Sequence, residues 1–281
     1  MSALRTLDRA TGLHGGDHAC WAYSSRRAFV AAAVASLREG VRRGERLLYV
    51  GSADTEVLTA DLDGLDDRDA LLAEGRLTLH HLDGLYGPPG VPVTEDPVAV
   101  FRRTALEAEA RGFPGLRAVA DVTALAECPD HLRRMAAYEL RVDAMIAAHD
   151  IVGVCGYDER RVGEEVGVLA ALHPLQHRTT RAASFAVALR DGVLDVTGEV
   201  DATSAGDLRS VLEAVQDVTG GPLVLDLHGL DFIDVAGARA LARAEARVVD
   251  SGRPTGVRGA RASVRRCLEL FGLSSGDGEV A

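Results

Sequence analysis

Lysine and asparagine are missing from the 281-residue chain, so arginine supplies all 31 of its basic residues. The absence of lysine excludes Schiff-base and pyridoxal-phosphate enzymes and the lysine-containing phosphate loop of many nucleotide-binding proteins. No apolar run reaches the ~18 residues that a membrane span needs, and the first residues lack the apolar core of a signal peptide. The four cysteines are scattered without a CxxC pair, which favours reduced thiols. We therefore expect a cytoplasmic protein that does not bind a membrane.

The charge balance is acidic, with a formal net charge of −11 at pH 7. The arginines are dispersed and no basic recognition helix is evident, so direct DNA binding is not expected. Apolar residues make up 47% of the chain, which is enough for a core in each of two domains.

Short apolar runs alternate with longer amphipathic runs in the first part of the chain. This alternation predicts an α/β domain with a parallel sheet sandwiched by helices. Ligands of such sheets bind at the carboxyl ends of the strands. The apolar runs that predict its main strands are 18–23, 46–50, 76–82, 116–122 and 151–155.

The pattern changes after the polar stretch His173–Ala183, which predicts a linker. Two apolar runs around Arg190-Asp191-Gly192 predict a hairpin, and further strands and helices follow it. The second domain is therefore expected to be a smaller β/α unit. The predicted division is a first domain at 1–176, a linker at 177–183 and a second domain at 184–276.

The text HACWAY places His18 and Cys20 two residues apart in a predicted strand, so both side chains face the same side. A thiolate and an imidazole on one face make half of a zinc or copper site, which Cys155 of another predicted strand could approach. The alternative interpretation is a buried cysteine beside a hydrogen-bonded histidine.

Two acidic residues are further candidates in the first domain. Asp121 ends a predicted strand, as does the magnesium-binding acid of nucleotide-binding sheets, but it could equally be a capping or solvated aspartate. Glu139 lies on a predicted helix at 130–149 and is either a buried polar anchor or an exposed residue. In the second domain, Asp234 precedes a predicted helix and fits the role of its N-cap, while Gly237 would allow another backbone to approach closely.

The second domain resembles the STAS domain, the family of bacterial anti-sigma factor antagonists. The resemblance is carried by LDVTGEVDATSAGDLRSVL, GPLVLDLHGLDFIDVAGARAL and VRRCLELFGL, in that order. It implies a four- or five-stranded β/α fold that binds an anti-sigma factor, often a serine kinase. The implied partner-binding residues are Asp201, Thr203, Ser204, Asp234, Val235, Ala236 and Gly237.

One feature of the STAS motif is missing here. The family typically has D-S-S-G, and the kinase phosphorylates the serine directly after the aspartate. This chain has Asp234-Val235-Ala236-Gly237, so Val235 cannot accept a phosphate. Thr203 and Ser204 are the candidate substitute acceptors. Otherwise either binding is permanent or control comes from elsewhere, because the charge that phosphorylation adds is unavailable at this position.

The first domain resembles the MEDS family of sensory domains. The resemblance is carried by DHACWAY, LREGVRRGERLLYV, GFPGLRAVADV, Tyr138-Glu139, VCGYD and LHP, with His18, Cys20 and Tyr23 as its clearest signature. It implies a RecA-like fold that has lost its phosphate loop, in agreement with the absence of lysine. It also implies the sensing of a small molecule. The composition is of the actinobacterial type.

We therefore expect a non-enzymatic signalling protein, an anti-sigma factor antagonist whose first domain senses a small molecule or redox state. The candidate sensor residues are His18, Cys20, Tyr23, Asp121, Glu139 and Cys155. The alternative is a metal- or thiol-based sensor acting as a scaffold, with His18 and Cys20 holding the metal. A nucleotide hydrolase is disfavoured because the phosphate loop is missing.

Overall fold

The computed structural model describes residues 4–86, 96–127, 129–179 and 182–273. The strands are β1 (Arg5–Leu7), β2 (His18–Tyr23), β3 (Arg46–Gly51), β4 (Leu77–His81), β5 (Leu116–Asp121), β6 (Ile151–Asp158), β7 (Leu175–His177), β8 (Phe185–Arg190), β9 (Val193–Val200), β10 (Leu223–Asp226), β11 (Leu230–Ile233) and β12 (Thr255–Arg258). The α-helices are α1 (Arg26–Arg43), α2 (Thr55–Asp61), α3 (Arg68–Ala73), α4 (Leu82–Tyr86), α5 (Pro97–Ala110), α6 (Thr123–Ala126), α7 (Pro129–Ala147), α8 (Glu159–Val162), α9 (Val166–Ala171), α10 (Ala205–Val218), α11 (Val235–Asp250) and α12 (Ala262–Glu269).

Within the described residues, the first sheet has seven strands in the order β1-β7-β2-β6-β5-β3-β4, and every neighbouring pair is parallel. The predicted α/β class with a parallel sheet covered by helices is thereby confirmed. Strands β2, β3, β5 and β6 are buried along their whole length, as expected for strands covered on both faces.

The two faces of this sheet carry separate apolar layers. Trp21 and Tyr23 of β2 pack with α1, α2 and α3 on one face. Cys20 and Ala22 face the other side and pack with α5, α7 and α9. Alternation along the strand therefore places His18 and Cys20 on one face of the sheet and Tyr23 on the other.

The segment His173–Ala183 differs from the predicted linker over its first half. His173 is completely buried, and Leu175–His177 forms β7, which lies between β1 and β2 in the first sheet. The polar residues of this segment did not indicate a strand, because three residues are too few to show the alternation of apolar and polar side chains. Residues 180–181 of the predicted linker lie outside the described part of the chain, as does Cys128.

The second sheet is built around β9, which pairs antiparallel with β8. The first residues of β9 (193–195) also pair parallel with β10, and its last residues (198–200) pair parallel with β11. β12 continues the sheet beside β10. Asp191 and Gly192 between β8 and β9 have φ values of 50° and 79°. Two successive left-handed residues are the conformation that an Asp-Gly hairpin turn requires. The predicted smaller β/α unit is therefore present, with β11 as a strand that the sequence had not predicted.

Helix α7 lies between the two sheets. On one side its apolar residues pack against the first sheet, and on the other they pack against β8 and α10. One continuous apolar core consequently joins the two halves of the chain. Two Arg–Asp pairs also join α7 to the second half: Arg133 with Asp217, and Asp143 with Arg190 at 2.9 Å.

A second contact between the halves is acidic. Asp207 in the first turn of α10 lies against Gly167 of α9 so closely that a Cβ atom on Gly167 would collide with the carboxylate. Burial and the charges of Glu164 and Glu165 raise the pKa of Asp207 to about 6. This carboxyl group is thus more costly to ionise in the folded protein than in the unfolded chain.

We predict that Asp207→Asn makes stability less sensitive to pH. A pKa raised on folding contributes stability that is present below about pH 4 and is lost as the pH rises through about 6. The variant should therefore resist urea better than the parent protein at pH 7.5, by roughly 1 kcal/mol, with a smaller gain at pH 4.5. Glu109→Gln, at an exposed site on α5, is the control and should change stability by less than about 0.5 kcal/mol at either pH. An equal gain for Asp207→Asn at both pH values would contradict this account.

Candidate functional site

Four titratable side chains meet in the buried layer between the first sheet and α7. They are His18 of β2, Glu139 of α7, Cys155 of β6 and His173, which directly precedes β7, and one ligand atom of each lies within 4.8 Å of the others. His18 Nε2 is 3.4 Å from Cys155 Sγ and 3.4 Å from Glu139 Oε2. His173 Nε2 is 3.7 Å from Glu139 Oε2. We call these four residues the buried cluster.

The outer atoms of the buried cluster are held by further partners. His18 Nδ1 is 3.3 Å from Asp143 Oδ1, and the other Asp143 oxygen accepts a hydrogen bond from Arg190. The Tyr157 hydroxyl donates to Glu139 Oε1 at 2.5 Å. These contacts fix the orientation of the His18 ring and of the Glu139 carboxyl group.

Burial dominates the electrostatics of the cluster. It raises the pKa of Glu139, although His18 and the hydrogen bond from the Tyr157 hydroxyl act to lower it. Burial, followed by the charge of Glu139, raises the pKa of Cys155 well above its usual value. Burial and the neighbouring His18 lower the pKa of His173 well below its usual value. Glu139, Cys155 and His173 are therefore driven towards their neutral forms, because charge is costly where water is excluded.

Cys20 lies beside the buried cluster rather than in it. It is the register partner of Cys155 across β2 and β6, and its side chain is buried on the same face. Burial, followed by the charge of Glu139, raises the pKa of its thiol. The structure thus brings together His18, Glu139 and Cys155 of the sequence candidates, with Cys20 adjacent.

Tyr23 and Asp121 form a different group on the opposite face of the sheet, at the carboxyl ends of β2 and β5. The Tyr23 hydroxyl donates to Asp121 Oδ2 at 2.9 Å, and Arg26 reaches the same oxygen at 3.3 Å. Asp121 Oδ1 accepts from the Thr123 hydroxyl and backbone amide. Both carboxylate oxygens are engaged, so this aspartate anchors the strand ends in the structure.

The candidate partner-binding residues lie at one edge of the second sheet. Asp201 follows β9 and Asp234 follows β11, and the two strands end side by side because Val200 is the register partner of Ile233. Asp201 Oδ1 accepts from the backbone amides of Thr203 and Ser204. Thr203 is exposed, whereas Ser204 is buried.

The start of α11 is a rigid turn that presents apolar side chains to solvent. Asp234 Oδ1 accepts from the amides of Ala236 and Gly237 at 2.8 and 2.9 Å, so the predicted N-cap is present. A Cβ atom on Gly237 would lie 2.6 Å from Val200 Cγ1, so it is side chains rather than another backbone that approach this glycine. Phe232 and Val235 remain 49% and 48% exposed on either side of the cap.

Two family models match the chain, one after the other. The family model "MEDS: MEthanogen/methylotroph, DcmR Sensory domain" matches residues 17–174, more than half of the chain. The chain belongs to the MEDS family. The model "Mlab, STAS domain" matches residues 183–275, so the predicted order of a MEDS region followed by a STAS region is confirmed.

Other comparisons add little about function. No curated protein matches the chain. A solved structure described as "Crystal Structure of an Anti-sigma Factor Antagonist from Mycobacterium paratuberculosis" is 29% identical over 31% of this chain and 76% of that chain, with a TM-score of 0.28. No helix in the described ranges combines the length and the apolar character required to cross a membrane.

The sequence did not indicate three residues that belong to the buried cluster or support it. His173 was assigned to the linker, although it directly follows an apolar helical run. Asp143 lies four residues after Glu139, a spacing that puts both on one face of α7 and could have revealed it. Arg190 was assigned only to a turn, and nothing in its local sequence indicates a partner in the first domain.

We predict that native Cys20 and Cys155 react slowly with N-ethylmaleimide at pH 8, whereas the partly exposed Cys267 reacts faster. The buried thiols are shielded from the reagent and form little thiolate because burial raises their pKa. Peptide mapping by mass spectrometry after timed labelling measures each site. All three should react at similar rates in concentrated urea. Equal labelling of Cys20 and Cys267 in the native protein would contradict the buried placement.

Proposed function

We propose that the chain is a cytoplasmic, non-enzymatic anti-sigma factor antagonist. Its STAS region binds an anti-sigma factor of the serine kinase type, and its MEDS region regulates that binding in response to a small molecule or redox state. The observation that carries the proposal is the pair of exposed apolar residues, Phe232 and Val235, beside the capped start of α11. This is the position at which STAS antagonists are expected to meet their partner.

The physical properties of this edge suit a protein partner. Large apolar side chains exposed together are characteristic of binding surfaces, and a rigid base reduces the entropy cost of binding. The N-cap hydrogen bonds of Asp234 and the close packing of Gly237 on Val200 provide that base. A phosphate on the residue after Asp234 would add about −1.5 to −2 charges to the surface, but Val235 has no hydroxyl group to accept it.

A short series of contacts connects the buried cluster of the MEDS region to the edge that carries the candidate partner-binding residues. His173 of the buried cluster contacts the Leu169 carbonyl of α9 through its Nδ1 atom at 2.7 Å. The same helix carries Gly167, against which Asp207 of α10 packs. Asp207 lies only three residues after Ser204, in the segment that flanks the partner edge. A shift of α9 would therefore move the start of α10.

Two cavities between the halves offer a place for a small molecule. One of about 130 Å³ and one of about 560 Å³ are both lined by Ala147 at the end of α7 and by Arg190 at the end of β8. The larger one is within the usual size range for small-molecule sites. A ligand there would contact the arginine that also pairs with Asp143, and so could act on the contact between the regions.

We predict that Val235→Asp abolishes retention of an anti-sigma factor by the immobilised full chain. The added carboxylate would be desolvated against the partner and would lower affinity by about 10-fold or more. The measurement is quantitative mass spectrometry of the proteins retained from a native lysate of the source organism. Val249→Asp is the matched control, because Val249 is 50% exposed on the same helix but three to four turns away.

Capture of a kinase-type anti-sigma factor by the parent protein and by Val249→Asp, but not by Val235→Asp, supports the proposal. Equal capture by all three proteins would place the binding surface elsewhere. Absence of any anti-sigma factor from the parent protein's retained set would overturn the assigned partner.

We predict that Gly167→Ala changes the affinity of the full chain for that anti-sigma factor by about fivefold or more, the range expected for coupled sites. The new methyl group collides with the Asp207 carboxylate and must displace the start of α10. Gly84→Ala on α4 is the control, since a Cβ atom there meets nothing within 4 Å. Titration calorimetry measures both. Unchanged affinity in a folded Gly167→Ala protein would argue against control through α9.

A further inference from the structure

Two atoms of the buried cluster lack a hydrogen-bond partner among the residues that the structure describes. They are Glu139 Oε2 and His173 Nε2, and both side chains are completely buried. A buried carboxyl or imidazole atom without a partner costs free energy, so such atoms are rare in folded proteins. Here the two atoms face each other at 3.7 Å, together with His18 Nε2 and Cys155 Sγ.

The distances within the cluster are close to those of a tetrahedral metal site. Zinc binds imidazole nitrogen at about 2.0–2.1 Å, carboxylate oxygen at about 2.0–2.2 Å and thiolate sulfur at about 2.3 Å. A tetrahedron with such bonds places two nitrogen or oxygen donors about 3.3–3.6 Å apart, and the sulfur about 3.5–3.7 Å from each of them. The two distances from His18 Nε2, both 3.4 Å, are close to these values, and the 3.7 Å between His173 Nε2 and Glu139 Oε2 is slightly longer. All four donor atoms lie within 4.8 Å of one another, so small side-chain shifts would bring them to a common ion.

The ring nitrogens are also oriented for a metal. The Leu169 carbonyl can only accept a hydrogen bond, so His173 Nδ1 carries the proton and Nε2 carries a lone pair aimed into the cluster. His18 Nδ1 faces the Asp143 carboxylate, which leaves its Nε2 for the cluster. Outer hydrogen bonds from a carboxylate or a carbonyl to the far nitrogen are the usual support of metal-binding histidines. The Tyr157 hydroxyl gives equivalent support to Glu139.

We propose that the buried cluster is a four-coordinate site for Zn²⁺ or a similar divalent transition metal. Its ligands are His18 Nε2, His173 Nε2, Cys155 Sγ and Glu139 Oε2. The mixed nitrogen, sulfur and oxygen set suits zinc, and four protein ligands leave no open position for a substrate. The site is therefore structural or regulatory, and it does not depend on the proposed anti-sigma partner.

Charge balance favours the same assignment. Zn²⁺ bound by one thiolate and one carboxylate is neutral overall, so the ion offsets the burial of both anions. Binding releases the Cys155 thiol proton and the proton of the Glu139 carboxyl group to solvent, because both ligands bind as anions. The two unpartnered atoms gain a partner in the same step. Cys20 stays outside the site, although its neighbour in the signature, His18, is a ligand.

The test uses the full chain, unfolded with a chelator and refolded with one equivalent of Co²⁺ or Zn²⁺. Cobalt should give a sulfur-to-metal charge-transfer band and the intense visible bands of tetrahedral Co²⁺. X-ray absorption of the zinc protein should show one sulfur and three nitrogen or oxygen neighbours. Cys20→Ser is the matched control and should keep the charge-transfer band, whereas Cys155→Ser should lose it.

The X-ray measurement keeps the proposal falsifiable if Cys155→Ser does not fold. A metal content below about one-tenth per chain after refolding, or a zinc spectrum without sulfur, would overturn the site. Two sulfur neighbours would show that Cys20 is a ligand and would overturn the proposed set. Loss of the cobalt band in Cys20→Ser with its retention in Cys155→Ser would do the same.

Discussion

Helix α7 must bury two carboxyl groups, Glu139 and Asp143, between two sheets, and the surrounding structure is arranged around that requirement. Neither group reaches solvent to any useful extent, so each needs compensation from neighbouring side chains. His18 and Tyr157 of the first sheet face them on one side, and Arg190 of the second sheet reaches Asp143 from the other. The compensation for one helix thus comes from both halves of the chain.

This sharing has a mechanical consequence. Asp143 contacts His18 through one oxygen and Arg190 through the other, so separating the two regions would break the ion pair with Arg190. The continuous apolar core around α7 and α10 adds to that cost. In the proposed regulation, a rearrangement of the cluster would therefore change the packing of the STAS region against α7. Such a contact is what coupling between two sites requires.

Much of the fold and part of the site could be predicted from the sequence. Strand-like runs and helical spacing predicted the parallel sheet, and the period of two predicted that His18 and Cys20 share one face. The cluster itself joins four separate elements, and local patterns do not report which strands become neighbours. His173 was missed for this reason: its polar surroundings resemble a linker, and only the insertion of β7 beside β2 buries it.

The missing phosphate acceptor and the acidic contact between α9 and α10 can be understood together. In STAS relatives with D-S-S-G, phosphorylation changes the charge at the partner edge. Here Asp207 of α10 packs against Gly167 of α9, and burial together with the charges of Glu164 and Glu165 raises the pKa of Asp207. A displacement of α9 would therefore move the start of α10, which directly follows Ser204. In the proposed regulation, this change in packing takes the role that phosphorylation has in those relatives, provided that two arrangements of α9 differ in partner affinity.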